Sequence, residues 1–345
     1  MISHRFGVAA AAALILLTGC LPYSCRREES TELMPSDSLS RELAAGVAVD
    51  TLELDWSRSA SSDAALVHPR TVRFGDRHTD TLYVSDAETG IVYVFDTSGS
   101  FQSAIETAEI PYLAGVRADT LAVFDPSGPA MHLLVDGRPA EMISIQDTGR
   151  SSASLVYGAF GRDIYYKRVD ENEDSFVARV RRDGTLGQRH RLPGPVWRHA
   201  GLLRTWGDSV ISLSGFRPVI DIVTEDAEVD TLALRGFDSP MLRRTRAFLV
   251  GDIHEPPLIT SSAAPSGDYL FVLNMRAGWL QIDAFDRSGL LVRRLTEREP
   301  AYRKAFFPQD LDVRRRGDGR YEMAVVLTQP EPELRYYVWQ PPADF

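Results

Sequence analysis

From about residue 47 onward the chain states one unit several times: a short apolar strand, a turn, a second strand, an Asp-Gly or Ser-Gly turn, and a third strand. Repetition on this scale restricts a chain more than any other feature. Each unit is too small to bury its own apolar faces and must stack on copies of itself. The clearest copy reads Asp80-Thr81-Leu82-Tyr83-Val84, then Ile91 to Phe95, the turn Asp96-Thr97-Ser98-Gly99, and Phe101 to Ile105. Second strands begin near residues 80, 119, 163, 208, 268 and 320, at spacings of 39, 44, 45, 60 and 52. The two long spacings mark insertions near 236–256 and 296–309.

Another short segment precedes each pair: Thr71 to Phe74, Leu113 to Arg117, Leu155 to Ala159, Gly201 to Thr205, Leu258 to Ser261 and Asp310 to Val313. Four strands per unit, punctuated by hairpin turns, predict an all-β, six-bladed β-propeller with four antiparallel strands per blade. The sixth unit stops at its third strand, Leu334 to Trp339. Val49-Asp50-Thr51-Leu52-Glu53-Leu54 reads like the fourth-strand segment Val229-Asp230-Thr231-Leu232-Ala233-Leu234. The N-terminal strand is therefore expected to close the last blade and leave no long unpaired edge. A seven-bladed ring and a pair of β-sandwiches are the alternatives the pattern leaves open.

Composition narrows the function classes. The 345 residues carry 38 Lys+Arg against 48 Asp+Glu, a formal charge of −10, with 44% hydrophobic and 25% charged residues. That excludes a wholly disordered or multi-span chain, and the acidity argues against general nucleic-acid binding. Two cysteines exclude a disulfide scaffold.

Residues 1–19 have the layout of a secretory signal: His4 and Arg5, an apolar run from Phe6 to Leu17, then small residues. The run ends Leu17-Thr18-Gly19-Cys20. This resembles the lipobox of bacterial lipoproteins, which implies cleavage before Cys20 and acylation of its sulfur and new N-terminus. Several acyl chains anchor a protein stably, so a membrane is an expected partner through Cys20. Leu21 stands where an inner-membrane retention rule usually asks for Asp, which favours the outer membrane. Residues 20–45 are polar and aperiodic and read as a tether of about 25 residues, reaching roughly 25–30 Å if flexible. Cys25, beside Arg26 and Arg27, reads as an incidental linker thiol. The propeller is then 46–345, expected to be a monomer.

Asp80 to Ile105 looks like an NHL-type repeat of six-bladed propellers, and the other units look like degenerate versions of it. The resemblance implies a blade and no particular activity. Such propellers include binding platforms, lactonases or hydrolases, and lyases.

Motifs for chemistry are sparse: no Cys-x-x-Cys-His, Gly-x-Ser-x-Gly, Walker loop or His-Glu-x-x-His occurs. Calcium-dependent lactonase-like propellers line the channel with Glu, Asn and Asp, whereas this chain has two Asn, Asn172 and Asn274, both expected at hairpin turns. Residues opening each first strand are expected at the central mouth: His68, Tyr112, Ser154, His199, Pro257 and Gln309, with Asp310 and His254-Glu255 nearby. His68, Tyr112, His199, Gln309 and Asp310 are the candidate binding residues there. A metal held by His68, His199 and Asp310 is the weaker reading, and no metal or cofactor is assigned. Arg243, Arg244 and Arg246, with Arg303 and Lys304, form the basic clusters on the acidic chain, placed by both insertions over one face. Asp96, Asp136, Asp183 and Asp286 recur at turns and read as turn formers. The leading expectation is a non-catalytic envelope propeller binding a protein, peptide or glycan. The alternative is a periplasmic lactonase- or hydrolase-like enzyme using the channel.

Overall fold

The structure, a computed structural model, describes residues 37–345 apart from 62, 77–79, 153, 171–174, 225–228, 277, 299–301, 304 and 344. Cys20, Cys25, Asn172 and Lys304 lie outside the described residues, as does the predicted signal segment. The chain is a β-propeller built from units of four antiparallel strands. The first four units are separate sheets: β2 (Pro69–Phe74) to β5 (Phe101–Glu106), β6 (Tyr112–Arg117) to β9 (Arg138–Ser144), β10 (Leu155–Phe160) to β13 (Leu186–Arg191), and β14 (Leu203–Trp206) to β17 (Asp230–Ala233). The remaining strands form one eight-stranded sheet in the order β18-β19-β20-β21-β1-β24-β23-β22. In it β18 is Thr260–Ser266, β19 is Tyr269–Asn274, β20 is Gln281–Phe285, and β21 is Leu291–Glu297. β22 is Phe307–Arg315, β23 is Tyr321–Gln329, β24 is Glu333–Trp339, and β1 is Val49–Ser59.

β1 joins the two halves of that sheet. Its first part runs parallel to β21, Val49 opposite Arg294 and Leu52 opposite Glu297. Its second part runs antiparallel to β24, from Glu53 opposite Val338 to Ser59 opposite Glu333. The N-terminal strand does pair with β24, but through residues 53–59; of the segment expected to do so, 49–54, the first four residues pair in parallel with β21 instead, which was not foreseen. The parallel segment has smaller counterparts. Two residues past an outer strand, the chain bridges in parallel to the residue just ahead of the next unit's outer strand, Gln146 with Thr185 and Arg235 with Leu290. β1 and β21 extend that same contact into a ladder.

Why the strands form is visible in their burial. Those inside a sheet are covered on both faces by neighbouring sheets, so they read as continuous apolar runs rather than alternating ones. In Leu121-Ala122-Val123-Phe124 of β7 (Thr120–Asp125) all four are buried, whereas outer strands β5 and β9 are largely exposed. The cores lie between successive sheets. Val92 and Leu113 join the first to the second, and Phe124, Tyr166 and Phe176 the second to the third. Val177 and Leu203 join the third to the fourth, and Ile220 and Leu270 the fourth to β18–β21. Phe271 and Tyr321 continue to β22–β24, and Val326 with Val72 returns to the first sheet.

Both helices depart from the sequence reading. Asp37–Ala45 is an α-helix, α1, within the stretch read as aperiodic tether; Ala44 is buried, and Leu43 lies against Gly236. The first insertion folds as α2, Leu242–Val250, anchored by buried Leu242 and Thr245 and stopped at Gly251, whose φ is 86°. Asn274 is not at a hairpin turn. It ends β19, is 1% exposed, and donates to the Asp238 carbonyl and the Asp283 carboxylate, where an amide can bridge both. Antiparallel pairing puts the starts of β2, β6, β10, β14, β18 and β22 at one end of the molecule, with the long connections 192–202, 234–259 and 298–306. The opposite end carries short turns.

Candidate functional site at the axis and the connection-bearing end

Asp310 of β22 sits among the innermost strands and is 0% exposed. One carboxylate oxygen accepts the Val72 N–H at 3.0 Å and the Arg73 guanidinium at 2.8 Å, both from β2. The other accepts Arg204 of β14 at 2.7 Å and the Ser262 hydroxyl of β18. Two residues on, Asp312 accepts the Phe74 N–H at 2.8 Å. Burial would push the Asp310 carboxyl up, but Arg204, Arg73, Ser262 and the Val72 N–H outweigh it, and the group is held below its ordinary value. Asp312 goes the other way: burial pushes it up against the pull of Arg73. Four inner strands thus meet on one carboxylate with every lone pair engaged in structural bonding.

One turn toward the connection-bearing end, Arg70 donates to the Tyr112 hydroxyl at 2.7 Å. Tyr157 is held beside them, with the Lys167 ammonium 5.0 Å from its ring centroid and bonded to the Gly201 carbonyl at 2.8 Å. Burial drives the Lys167 ammonium down to about 7 and pushes the Tyr157 hydroxyl up.

The sequence-predicted mouth residues separate. Tyr112 and Asp310 are in the inner structure as described, and Gln309 is half-buried next to Asp310. His68 is half-buried, with burial and Arg70 lowering its imidazole; its backbone N–H is held by Asp86 at 2.8 Å. His199 lies in a short 3₁₀ helix, Val196–His199, ahead of β14; it is 1% exposed and faces Asp221 at 3.7 Å. Ser154 and Ser151 are taken up by Asp170. His68, His199 and Asp310 are therefore held by different partners, and among the described residues no group of three His, Cys, Asp or Glu could hold a metal ion.

Arg243 and Arg244 are exposed on α2 and Arg246 is partly buried. Arg303 is exposed and lines a groove of about 700 Å³ at the seam of β1, β21 and β24, with Trp279, Phe306, Glu297, Glu333 and Arg335. The recurrent Asp residues act as turn formers: Asp96 takes the N–H of Ser98 and Ser100, Asp183 that of Thr185, and Asp286 those of Ser288 and Leu290. Those hydrogen bonds hold the exposed Asp183 carboxyl low, Thr185 leading.

Sequence reasoning missed Arg73, Arg204, Lys167, Arg198 and Arg217. A signal existed: Arg73 in Val-Arg-Phe, Arg204 in Leu-Arg-Thr-Trp and Lys167 in Tyr-Tyr-Lys are cations inside apolar strands, which a fold buries only with partners.

No family model and no curated protein sequence matches the chain. Solved structures match its shape. A protein of unknown function from Bacteroides thetaiotaomicron VPI-5482 aligns at TM-score 0.54 and 10% identity over 86% of this chain and 74% of that one. A catalytically inactive virginiamycin B lyase from Staphylococcus aureus, solved with quinupristin, aligns at TM-score 0.51 and 10% identity over 84% of this chain and 100% of that one. At such identity the likeness is one of fold: the chain is similar to these propellers in architecture.

Proposed function

We propose that the chain is a lipid-anchored envelope propeller that binds an acidic protein, peptide or glycan through its connection-bearing end and does not catalyse a reaction. The reading rests on one observation: Asp310, the carboxylate at the axis, has all its acceptor capacity engaged by Val72, Arg73, Arg204 and Ser262. A hydrolase using the channel would need such a group free to take a proton at neutral pH. Among the exposed cations, Arg243, Arg244 and Arg303 lie on long connections at one end. Arginine recognises carboxylate and phosphate groups in a forked geometry.

The proposed ring has six NHL-like blades spanning residues 46–345. What supports six is the course of the buried cores from sheet to sheet back to Val72, with the eight-stranded sheet counted as two blades joined through β1. The anchor is Cys20 after removal of residues 1–19, in the outer membrane. Among the described residues no helix is long and apolar enough to cross a membrane. The test is metabolic labelling with an alkyne fatty acid followed by membrane fractionation. Wild type is expected to carry label and sediment with membranes, and Cys20→Ala to lose both. An unlabelled wild-type chain would remove the anchor from the account.

A further inference from the structure

Between the third and fourth sheets lies a cluster of buried cations around a single carboxylate. Arg198 is 2% exposed; it donates to Asp221 of β16 (Val219–Val223), to the Pro193 carbonyl at 2.5 Å and to the Thr231 hydroxyl at 3.2 Å. The Thr231 hydroxyl also donates to Asp221 at 2.6 Å. Lys167 is 0% exposed, near enough for Asp221 and Arg198 to bear on its charge. Arg217, on the loop ahead of β16, is 1% exposed, and Arg198 bears on its charge too.

Arg217 differs from every other buried arginine described above. Its Nε, Nη1 and Nη2 make no hydrogen bond, and its one close aromatic neighbour is Trp197, with 5.8 Å from guanidinium carbon to ring centroid. Arg73 and Arg204, equally buried, spend donors on Asp310. The Arg198 Nε and both ring nitrogens of His199 are likewise unbonded. A guanidinium stays protonated in a protein and presents a planar fork of donors. Burying it with no acceptor is among the costlier arrangements a fold can keep. Arg198 and Arg217 against the Asp221 carboxylate leave a local positive excess, with unbonded polar atoms on Arg217, Arg198 and His199 to meet an incoming acceptor. Trp197 closes the cluster on one side and packs edge-on to Phe248 of α2 at 5.0 Å, which limits the ligand to a compact group.

We propose that Arg217, with Arg198 and His199, is a binding site for one compact oxyanion, the carboxylate of a small molecule or a free inorganic oxyanion, beneath Trp197 and α2. A singly charged, planar carboxylate matches the fork of Arg217 and the excess charge best. The site does not depend on the membrane anchor or on the exposed cations of α2.

The test is thermal unfolding of the purified protein, titrated with formate, acetate, phosphate, sulfate or chloride at constant ionic strength. The midpoint is expected to rise saturably with oxyanions. Formate and acetate acting at lower concentration identify the carboxylate source, and phosphate or sulfate the inorganic one. Arg217→Met should be at least as stable as wild type without added anion, because it removes an unbonded buried charge, and should weaken oxyanion binding about tenfold or more. Arg217→Lys keeps the charge and loses the fork, and should show the same weakening in a protein that retains its fold. No saturable rise in wild type, an equal rise with chloride, or an undiminished rise in both variants would overturn the site.

Discussion

Lys167 shows how one side chain records the cost of an interior position. Burial lowers its ammonium from 10.5 to about 7, with Asp221 opposing and Arg198 adding to the shift. Between those values the unfolded chain holds a proton the folded chain has shed, so stability rises with pH, by about 1.4 kcal/mol per pH unit at most. Below about pH 7 both states are protonated and the penalty is constant. Above pH 10 the trend turns, because Tyr157, Tyr166 and Tyr336, whose hydroxyls burial pushes up, keep protons that the unfolded chain releases. Urea midpoints measured from pH 7 to 9.5 should climb in wild type and stay flatter in Lys167→Met. Parallel curves would show that the ammonium is not the group responsible. His199, beside the same Asp221, is lowered by burial first of all and is neutral throughout this window.

The elements that hold the ring together are the turns between third and fourth strands. Their Asp-Gly pattern was legible in the sequence as hairpin chemistry, since Asp caps the turn and Gly takes the left-handed backbone. Their second role was not. Gly184, at φ 83°, presses against the preceding sheet, where a Cβ would sit 1.9 Å from the Ser144 carbonyl oxygen, and its own carbonyl accepts the Gln146 N–H at 2.9 Å. Gly319, at φ 87° in the turn between β22 and β23, faces open space. Gly184→Ala is therefore expected to cost about 3 kcal/mol, backbone strain plus a broken contact between sheets, against about 1 kcal/mol for Gly319→Ala. Equal losses in chemical denaturation would mean that the turn does not join the sheets.

What the sequence could and could not disclose divides along the same line. Strand order within a unit follows from local pattern, and the likeness of segment 49–54 to segment 229–234 pointed to an outer strand, although only Glu53 and Leu54 of it pair with β24. Contacts between units do not follow from local pattern, because they join residues from separate copies: Asp310 to Arg73 and Arg204, Trp56 to the Thr97 carbonyl at 2.8 Å, Gly184 to Ser144. The mouth residues were misjudged for that reason. Position on a first strand predicts which end a residue occupies, but whether His199 meets solvent or Asp221 depends on the 3₁₀ helix that carries it.

At the scale of the whole molecule, the acidic chain ties its inner strands together on a bonded carboxylate and carries Arg243, Arg244 and Arg303 on long connections at one end. That end is the proposed binding face. The most direct measurement compares partners retained by purified wild type, by Arg243→Glu/Arg244→Glu, and by Arg182→Glu at the opposite, short-turn end. A partner is expected to be enriched equally by wild type and Arg182→Glu and lost from the double reversal on α2. Undiminished retention by the double reversal would contradict it.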